Sequence, residues 1–259
     1  MSSKIYYFSG TGNSLAVARE TERNLIDEGS IVSIASLKNE KNIQVDTDVL
    51  GFVFPVYCMS IPDIVKAFIE KLSFKSKPYI FAIVTCNGVP GKSLIELNKY
   101  LLSKGKELSS GFVVEMTGNA VVTPSEIVTQ RLDNYKTEVV KISNIISNRS
   151  VKKIVGTYGI KDNIGTSILK SFGRKMYLTP KSVSSTSECI GCGICTKVCP
   201  LDNIQIVDKK PGWGVKCSTC LACFHWCPKN AVKGGLMLSR RNQYHNPEVS
   251  VKDMELQKI

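Results

Sequence analysis

Two kinds of hydrophobic pattern alternate along the first half of the chain. Short and nearly continuous apolar runs predict five strands, over residues 4–8, 31–35, 49–54, 79–84 and 112–116. Apolar positions at helical spacing predict four helices, over residues 14–28, 62–72, 92–103 and 125–147. Continuous apolar strands separated by helices are typical of a parallel sheet covered on both faces. This half is therefore expected to be a doubly wound α/β domain, with Asn13 as the N-cap of the first helix.

The pattern changes after this half. Residues 160–177 place Ile164, Ile168 and Phe172 at helical spacing among basic residues, which predicts a basic connecting helix. A polar linker follows at residues 182–188, and beyond it apolar runs are short. We expect a first domain over residues 1–180 and a second over 181–259, the latter with a polar C-terminal tail that includes a solvated His245.

Composition narrows the class of protein. The chain has 259 residues, of which 43% are hydrophobic, enough for a sizeable core. No apolar run approaches the ~18 residues of a membrane span, and the N-terminus lacks the pattern of a signal peptide. These features predict a soluble cytoplasmic protein. Eight of the 10 cysteines lie between Cys189 and Cys227, a density that indicates metal binding in such a chain.

The cysteines follow a repeated motif. CIGCGICTKVCP at residues 189–200 and CSTCLACFHWCP at residues 217–228 both read C-x2-C-x2-C-x3-C-P. Zinc normally uses two separated CxxC pairs, and disulfides do not suit a cytoplasmic protein, so both alternatives are weaker than iron–sulfur clusters. Residues 188–235 closely resemble bacterial-type two-cluster ferredoxins.

That resemblance implies an α+β ferredoxin-like domain with two [4Fe-4S] clusters. In the bacterial pattern the fourth cysteine of each run ligates the other cluster. The first cluster would use Cys189, Cys192, Cys195 and Cys227. The second would use Cys217, Cys220, Cys223 and Cys199.

FSGTGNS, a loop rich in glycine and hydroxyl groups, follows the first strand. A Walker P-loop would need a lysine that is missing, and a dinucleotide fingerprint would need glycine where Leu15 stands. GVPGKS at residues 88–93 looks like the end of a Walker motif, but Cys86 stands where its first glycine belongs. The remaining interpretation is a phosphate cradle made of backbone N–H groups and hydroxyls at a helix N-terminus.

This cradle resembles the first loop of flavodoxins. The resemblance implies FMN, a five-stranded sheet of order 2-1-3-4-5, and a ligand at the carboxyl ends of the strands. The candidate FMN residues of the first loop are Ser9, Gly10, Thr11, Gly12, Asn13 and Ser14. Those of the loops after the third and fourth strands are Pro55, Val56, Tyr57, Cys58, Thr85, Cys86, Asn87, Gly88 and Gly91.

Several of these positions have ordinary alternatives. Tyr57 is the candidate to stack on the flavin, although it could simply cover a strand end. Asn119 could reach the ring edge, but a turn asparagine is the simpler interpretation. Cys58 and Cys86 could form a redox-active pair, but lone cysteines more often pack as small hydrophobic residues. No residue stands out as catalytic.

Taken whole, the chain resembles the flavodoxin–ferredoxin fusion proteins known as EFR1-family ferredoxins. The resemblance implies an electron-transfer protein in which FMN and two clusters serve a redox partner. The alternative is a flavin-dependent reductase that acts directly on a small molecule, for which a wide pocket beside Tyr57 would be required. Oxygen-sensitive clusters also suggest an anaerobic host.

Charge bears on the partner. The formal net charge is +12, and residues 150–183 carry seven basic residues against Asp162 alone. A basic chain favours an acidic redox partner, because complementary surfaces speed encounter. No patch of basic residues interleaved with exposed aromatic ones is evident, so nucleic-acid binding is not expected. The basic segment is expected to pack between domains rather than on a membrane surface.

Overall fold

A computed structural model describes residues 1–120, 122–152, 183–234 and 242–259 of the chain. Its first half contains seven strands: β1 (Ser2–Tyr7), β2 (Glu28–Ser33), β3 (Ile43–Val45), β4 (Val49–Pro55), β5 (Leu72–Phe74), β6 (Tyr79–Cys86) and β7 (Ser110–Glu115). Five of them form one parallel sheet in the order β2-β1-β4-β6-β7. If only these five strands are numbered, in the order in which they occur along the chain, their order in the sheet is 2-1-3-4-5. The predicted doubly wound α/β fold is therefore confirmed.

Helices cover both faces of this sheet. They are α1 (Asn13–Asn24), α2 (Asp63–Glu70), α3 (Ser93–Leu102) and α4 (Ser125–Ser147). α1 packs beside α4, and α2 packs beside α3. Because both faces of the strands are covered, their apolar side chains are almost all buried, with Phe52, Phe54 and Phe81 among the largest.

Local details differ from the sequence prediction at the first helix. α1 ends at Asn24, four residues earlier than predicted, and β2 begins at Glu28 rather than at residue 31. The N-cap is Gly12, in the left-handed conformation with φ 91, and not Asn13. A glycine adopts this conformation without steric cost, which lets the chain turn sharply from loop to helix. β3 and β5 were not predicted, because three-residue strands leave little periodicity.

The cysteine-rich part folds as two short repeats. Its elements are β8 (Val183–Ser185), α5 (Ile194–Lys197), β9 (Ile204–Val207), β10 (Lys210–Trp213), α6 (Ala222–His225) and β11 (Val232–Gly234). β9 pairs with β10 and β8 pairs with β11, both antiparallel. α5 and α6 occupy equivalent positions in the two cysteine runs, so the sequence repeat is also a structural repeat. β8 shows that the predicted polar linker is partly a strand.

The C-terminal segment, defined as residues 242–259, packs several of its side chains into the rest of the protein. It ends in α7 (Val251–Leu256), whose N-cap Ser250 forms a capping box with Asp253. Four of its side chains are buried: Asn246, Val249, Met254 and Gln257. His245 stacks on Trp226 with 4.2 Å between ring centroids and remains exposed to solvent, so the prediction of a solvated histidine is confirmed. The sequence did not reveal this packing because the segment is polar and has no strong periodicity.

Two predictions concern regions outside the described ranges. The basic helix at residues 160–177 and the domain boundary near residue 180 both lie there. Within the described ranges, no helix combines the length and apolar character that crossing a bilayer requires.

Gly51 in the centre of β4 provides a test of the core. A Cβ at this position would lie 2.4 Å from the Phe81 ring, which is itself fully buried. We expect Gly51→Ala to lower the free energy of unfolding by about 1–3 kcal/mol, because the ring cannot move without disturbing its neighbours. Chemical denaturation followed by circular dichroism measures the change.

Gly212 in β10 is the matched control for this variant. The nearest atom to a Cβ there is the Gln205 carbonyl oxygen at 3.9 Å. Gly212→Ala should leave stability within about 0.5 kcal/mol of the wild type, as surface substitutions do. Equal effects of the two variants would contradict the packing described for Gly51.

Asp253 provides a second test, of the packing of the C-terminal segment. Partial burial by itself raises the pKa of its carboxyl, but hydrogen bonds from Arg19 and Ser250 outweigh burial and lower this pKa to about 2. A lowered pKa in the folded state gives stability that is complete above the unfolded pKa and is lost only as pH falls toward 2. We therefore expect Asp253→Asn to lower Tm by about 2–4 °C, equally at pH 7 and pH 5, in thermal denaturation. A difference that disappeared between these pH values would contradict the assignment.

Candidate functional site

The glycine loop, residues 8–14, lies at the carboxyl end of β1, where a doubly wound sheet binds its ligands. Neighbouring strand ends hold it in place. Phe8 N–H donates to the Val53 carbonyl at 3.0 Å, and the Ser14 and Thr85 hydroxyl oxygens lie 2.8 Å apart. The loop therefore joins the ends of β1, β4 and β6.

The loop has the donors that a phosphate requires. α1 begins without a side-chain cap, although Asn13 and Ser14 in its first turn are buried. In the part of the chain that the structure describes, the N–H groups of these two residues meet no acceptor. Buried N–H groups at the positive end of a helix suit an anion. The hydroxyl-bearing residues of the loop, Ser9, Thr11 and Ser14, are buried beside them, so the residues present fit the phosphate of FMN.

Tyr57 reaches the same loop from the end of β4. Tyr57 and Ser60 bond to each other through both backbone groups at 3.0 Å, and Cys58 and Met59 between them are left-handed, with φ 48 and 62. This tight turn directs the Tyr57 ring against Phe8. The Tyr57 hydroxyl is buried, and no partner for it is found among the described residues. Burial raises the pKa of Tyr57 well above its ordinary value, so it remains a neutral phenol.

The loop after β6 is only partly directed toward the cradle. Thr85 contacts Ser14, as described above. Asn87 accepts a hydrogen bond from Arg131 of α4, and Gly88 lies near the same side chain. Gly91 approaches Met59, whose carbonyl accepts from the Lys92 N–H at 2.9 Å. The structure thus joins the two loops, but it directs Asn87 toward α4.

Of the two lone cysteines, Cys86 has the surroundings of an ordinary core residue. Cys86 is buried at the end of β6, and burial raises the pKa of its thiol to about 11. A protonated thiol of this kind packs as a small apolar group. All ten cysteines are free of disulfide bonds.

The eight clustered cysteines form two groups. Each group combines the first three cysteines of one run with the fourth cysteine of the other run. Burial, and then the nearby charges of Cys192, Cys189 and Cys227, raise the pKa of Cys195 to about 11. Burial raises the pKa of Cys223, and so do the nearby charges of Cys220, Cys199 and Cys217. We name them the outer cysteine group (Cys189, Cys192, Cys195, Cys227) and the inner cysteine group (Cys199, Cys217, Cys220, Cys223). The fourth cysteine of each run lies with the other run, the arrangement that two-cluster ferredoxins use.

Backbone N–H groups point at the sulfurs of both groups. Asn203 N–H donates to Cys199 Sγ at 3.4 Å, and Ala231 N–H donates to Cys227 Sγ at 3.3 Å. In the second run, Thr219 N–H donates to Cys217 Sγ at 3.3 Å. Such bonds stabilise the charge of thiolate ligands and tune cluster potentials.

The two groups differ in exposure. Cys192 of the outer group is exposed, and Ile190 beside it is 61% exposed. Cys220 of the inner group is buried, and it faces the glycine loop. The outer group therefore has one cysteine open to solvent, and the inner group has one that faces the α/β half.

The inner cysteine group is in direct contact with the glycine loop. A Cβ on Gly10 would lie 2.8 Å from the Cys220 carbonyl oxygen and 2.8 Å from the Tyr57 hydroxyl. Trp226 Nε1 donates to the Gly10 carbonyl at 3.0 Å, and Asn119 Nδ2 donates to the Cys220 carbonyl at 3.0 Å. Gly10 thus permits a close approach between the two halves, in addition to its place in the cradle.

Sequence reasoning missed the contribution of the C-terminal segment. Asn13 Oδ1 accepts from the Tyr244 hydroxyl at 2.8 Å and from Asn246 Nδ2 at 3.2 Å. His225 accepts from Tyr244 N–H at Nδ1, so its Nε2 carries the proton and donates to the Asn119 carbonyl at 2.9 Å. Only the single Tyr and two Asn of a short polar stretch could have pointed to these contacts, and that signal is weak.

Comparisons with solved structures return proteins that resemble the first half of the chain. A flavodoxin from Streptococcus pneumoniae TIGR4 is 18% identical, with 55% of this chain and 99% of that chain covered and a TM-score of 0.36. The two-electron reduced flavodoxin of Megasphaera elsdenii is 17% identical, with 54% and 97% covered and a TM-score of 0.38. An azoreductase from Bacillus anthracis str. Sterne is 11% identical, with 56% and 99% covered and a TM-score of 0.38. No curated protein matches the chain.

Two protein families match separate parts of the chain. Residues 188–232, which contain both cysteine groups, match the family described as 4Fe-4S dicluster domain. Residues 4–144 match the family described as flavodoxin domain, and this match spans more than half of the 259 residues. The chain combines flavin-type and iron–sulfur domains, as a flavodoxin–ferredoxin fusion does, and it belongs to the flavodoxin domain family.

Proposed function

We propose that this chain is an electron-transfer protein that holds FMN at the glycine loop and one [4Fe-4S] cluster in each cysteine group. When bound, FMN carries one or two electrons and each cluster carries one. The observation that carries the proposal is the contact between Gly10 and Cys220, because it brings a cluster ligand to the FMN loop. We also propose that the chain is a member of the EFR1-family ferredoxins and that its two domains meet near residue 180.

The residues have distinct tasks in this proposal. The N–H groups of Asn13 and Ser14 and the neighbouring hydroxyls bind the phosphate, and Tyr57 lies where a flavin ring would contact both halves. The inner cysteine group holds the cluster nearer to the flavin. The outer cysteine group holds the cluster that faces solvent and exchanges electrons with the partner.

The partner is proposed to be an acidic redox protein in the cytoplasm. Around the outer cysteine group, Ile190 offers an apolar contact, and Lys209, Lys229 and Lys233 are exposed. Basic surface charge of this kind accelerates encounter with an acidic protein. A run of clustered cysteines with metal-binding spacing suits a reducing compartment.

The alternative, direct reduction of a small molecule, is less well supported. Of the crevices that the described residues form, the one beside Tyr57 and Cys58 has a volume of about 70 Å³ and is closed on one side by Ser218 and Thr219. Sites for small organic ligands usually have volumes of about 300–1,000 Å³. This crevice is much smaller than the wide pocket beside Tyr57 that the alternative requires.

The first test is the cofactor content of the whole chain. After anaerobic reconstitution with FMN, iron and sulfide, we expect about one FMN and about eight iron atoms per chain, because the two cysteine groups each suit one four-iron cluster. Potentiometric titration followed by absorbance and EPR should then show one flavin and two cluster signals. About four iron atoms would overturn the two-cluster assignment, and iron without flavin would overturn the FMN assignment.

A matched pair of cysteine variants tests the order of the carriers. Cys223→Ser removes an inner ligand and Cys192→Ser an outer one, so each should lower the iron content by about half. Photoreduced flavin should still reduce the remaining cluster of Cys192→Ser, but transfer to the remaining cluster of Cys223→Ser should be at least tenfold slower, because the nearer carrier is lost. Stopped-flow absorbance measures both rates, with circular dichroism as the control for folding. Equal rates would contradict the proposed order.

A further inference from the structure

The C-terminal segment contacts the glycine loop at several points. A Cβ on Gly12 would lie 2.9 Å from Val249 Cβ and 3.1 Å from Asn246 Cβ, so these side chains sit directly on the loop. Asn246 N–H donates to the Thr11 carbonyl at 2.8 Å, and Gln257 Oε1 accepts from Ser9 N–H at 3.3 Å. Both Asn246 and Gln257 are almost fully buried.

The same segment is bonded to each of the other parts of the chain. Glu248 accepts from the Tyr135 hydroxyl of α4 at 2.6 Å. Gln243 Nε2 donates to the Phe224 and Cys227 carbonyls, both at 2.6 Å. A segment attached on several sides restricts the movement of the loop beneath it.

One carboxylate joins all three parts. Asp202 of the cysteine-rich part lies 3.0 Å from Lys38 Nζ of the α/β half and 2.7 Å from Lys258 Nζ of the C-terminal segment. Partial burial alone raises the pKa of Asp202, but the hydrogen bonds from Lys258 and Lys38 outweigh it and lower this pKa. The carboxylate therefore stays charged, and the contact persists across the neutral pH range.

The C-terminal segment could either compete with FMN for the loop or support the loop. The groups that it contacts distinguish these two roles. It contacts the Thr11 carbonyl and the Asn13 side-chain oxygen, which are acceptors and cannot bind a phosphate. Of the donors, it occupies Ser9 N–H alone, and it leaves the N–H groups of Asn13 and Ser14 without an acceptor in the described ranges. A segment that competed with FMN would occupy those donors. This one supports the loop from its other side.

Asn13 is the central residue of this support. Its Nδ2 donates to the Thr117 carbonyl at 2.9 Å, and its Oδ1 accepts from both Tyr244 and Asn246. The Asn13 side chain is thereby engaged at both of its polar atoms, so it holds the loop rather than the ligand. Its backbone N–H stays directed at the cradle as part of the first turn of α1.

From this geometry we propose that Tyr244 and Asn246 are positioning residues for FMN. They act through Asn13 and Thr11 to hold the phosphate loop in its binding conformation before the ligand arrives. A preorganised loop binds more tightly because less conformational entropy is lost on binding. This inference rests on the proposed FMN site at the same loop.

The test compares FMN affinity in variants of the whole reconstituted chain. Tyr244→Phe and Asn246→Ala remove the hydrogen bonds to Asn13, and the double variant should raise the Kd for FMN about tenfold, since each bond contributes modestly. Quenching of flavin fluorescence gives Kd. Hydrogen exchange of the amides at residues 9–14 in the FMN-free chain should be faster than in the wild type.

The control variant is Glu255→Gln in the same segment. Glu255 lies 3.5 Å from Lys197 Nζ of the cysteine-rich part, on the exposed side of α7. The Kd of the Glu255→Gln variant for FMN should stay within about twofold of the wild-type value, because exposed ion pairs contribute little energy. Iron content and the circular dichroism spectrum should be unchanged in all variants. If the double variant does not fold, the single variant Tyr244→Phe is used in its place.

The outcomes separate the possibilities. A raised Kd with faster exchange in the loop supports the proposal. An unchanged Kd would show that the segment is only structural, and a lowered Kd would show that it competes with FMN, and either result overturns the proposal. If the wild-type chain binds no FMN, then the proposed function fails instead, while the exchange measurement still reports whether Tyr244 and Asn246 order the loop.

Discussion

The close approach of Gly10 to the Cys220 backbone is the contact on which the arrangement of this protein depends. It is possible because a glycine stands in the loop, and it is fixed by hydrogen bonds from Trp226 and Asn119 to the two carbonyls. Buried carbonyls must be paired, so these bonds define how the two halves meet. The inner cysteine group, the glycine loop and Tyr57 are brought together as a result.

A second constraint is the start of α1. Gly12 adopts a left-handed conformation that other residues rarely take, and the first turn of the helix follows with its N–H groups uncapped and buried. Buried backbone N–H groups without an acceptor destabilise the folded state unless an anion binds to them. The same glycine leaves room for Val249 and Asn246 on its other side. One residue therefore serves both the cradle and its support.

Much of the fold was predictable because buried parallel strands and covering helices leave strong patterns. The predicted helix at residues 125–147 has the same bounds as α4, and the order of the five strands followed from the flavodoxin resemblance. The helix predicted at residues 14–28 was too long, because polar residues near its end carry no signal of where β2 begins. The C-terminal segment was predicted only as a polar tail, since polar residues that pair with a distant loop look the same in sequence as polar residues that face water.

The sequence by itself determined the two domain types and the candidate cofactor residues, because glycine loops and cysteine spacings are local patterns set by ligand geometry. It also determined the strand–helix alternation, since burial on two faces requires continuous apolar runs. Only the tertiary structure decided that the inner cysteine group meets the glycine loop, that Cys192 of the outer group is exposed, and that Tyr244 and Asn246 contact Asn13. These contacts join residues more than 200 positions apart, and hydrogen bonds between distant polar groups leave no periodicity in a sequence.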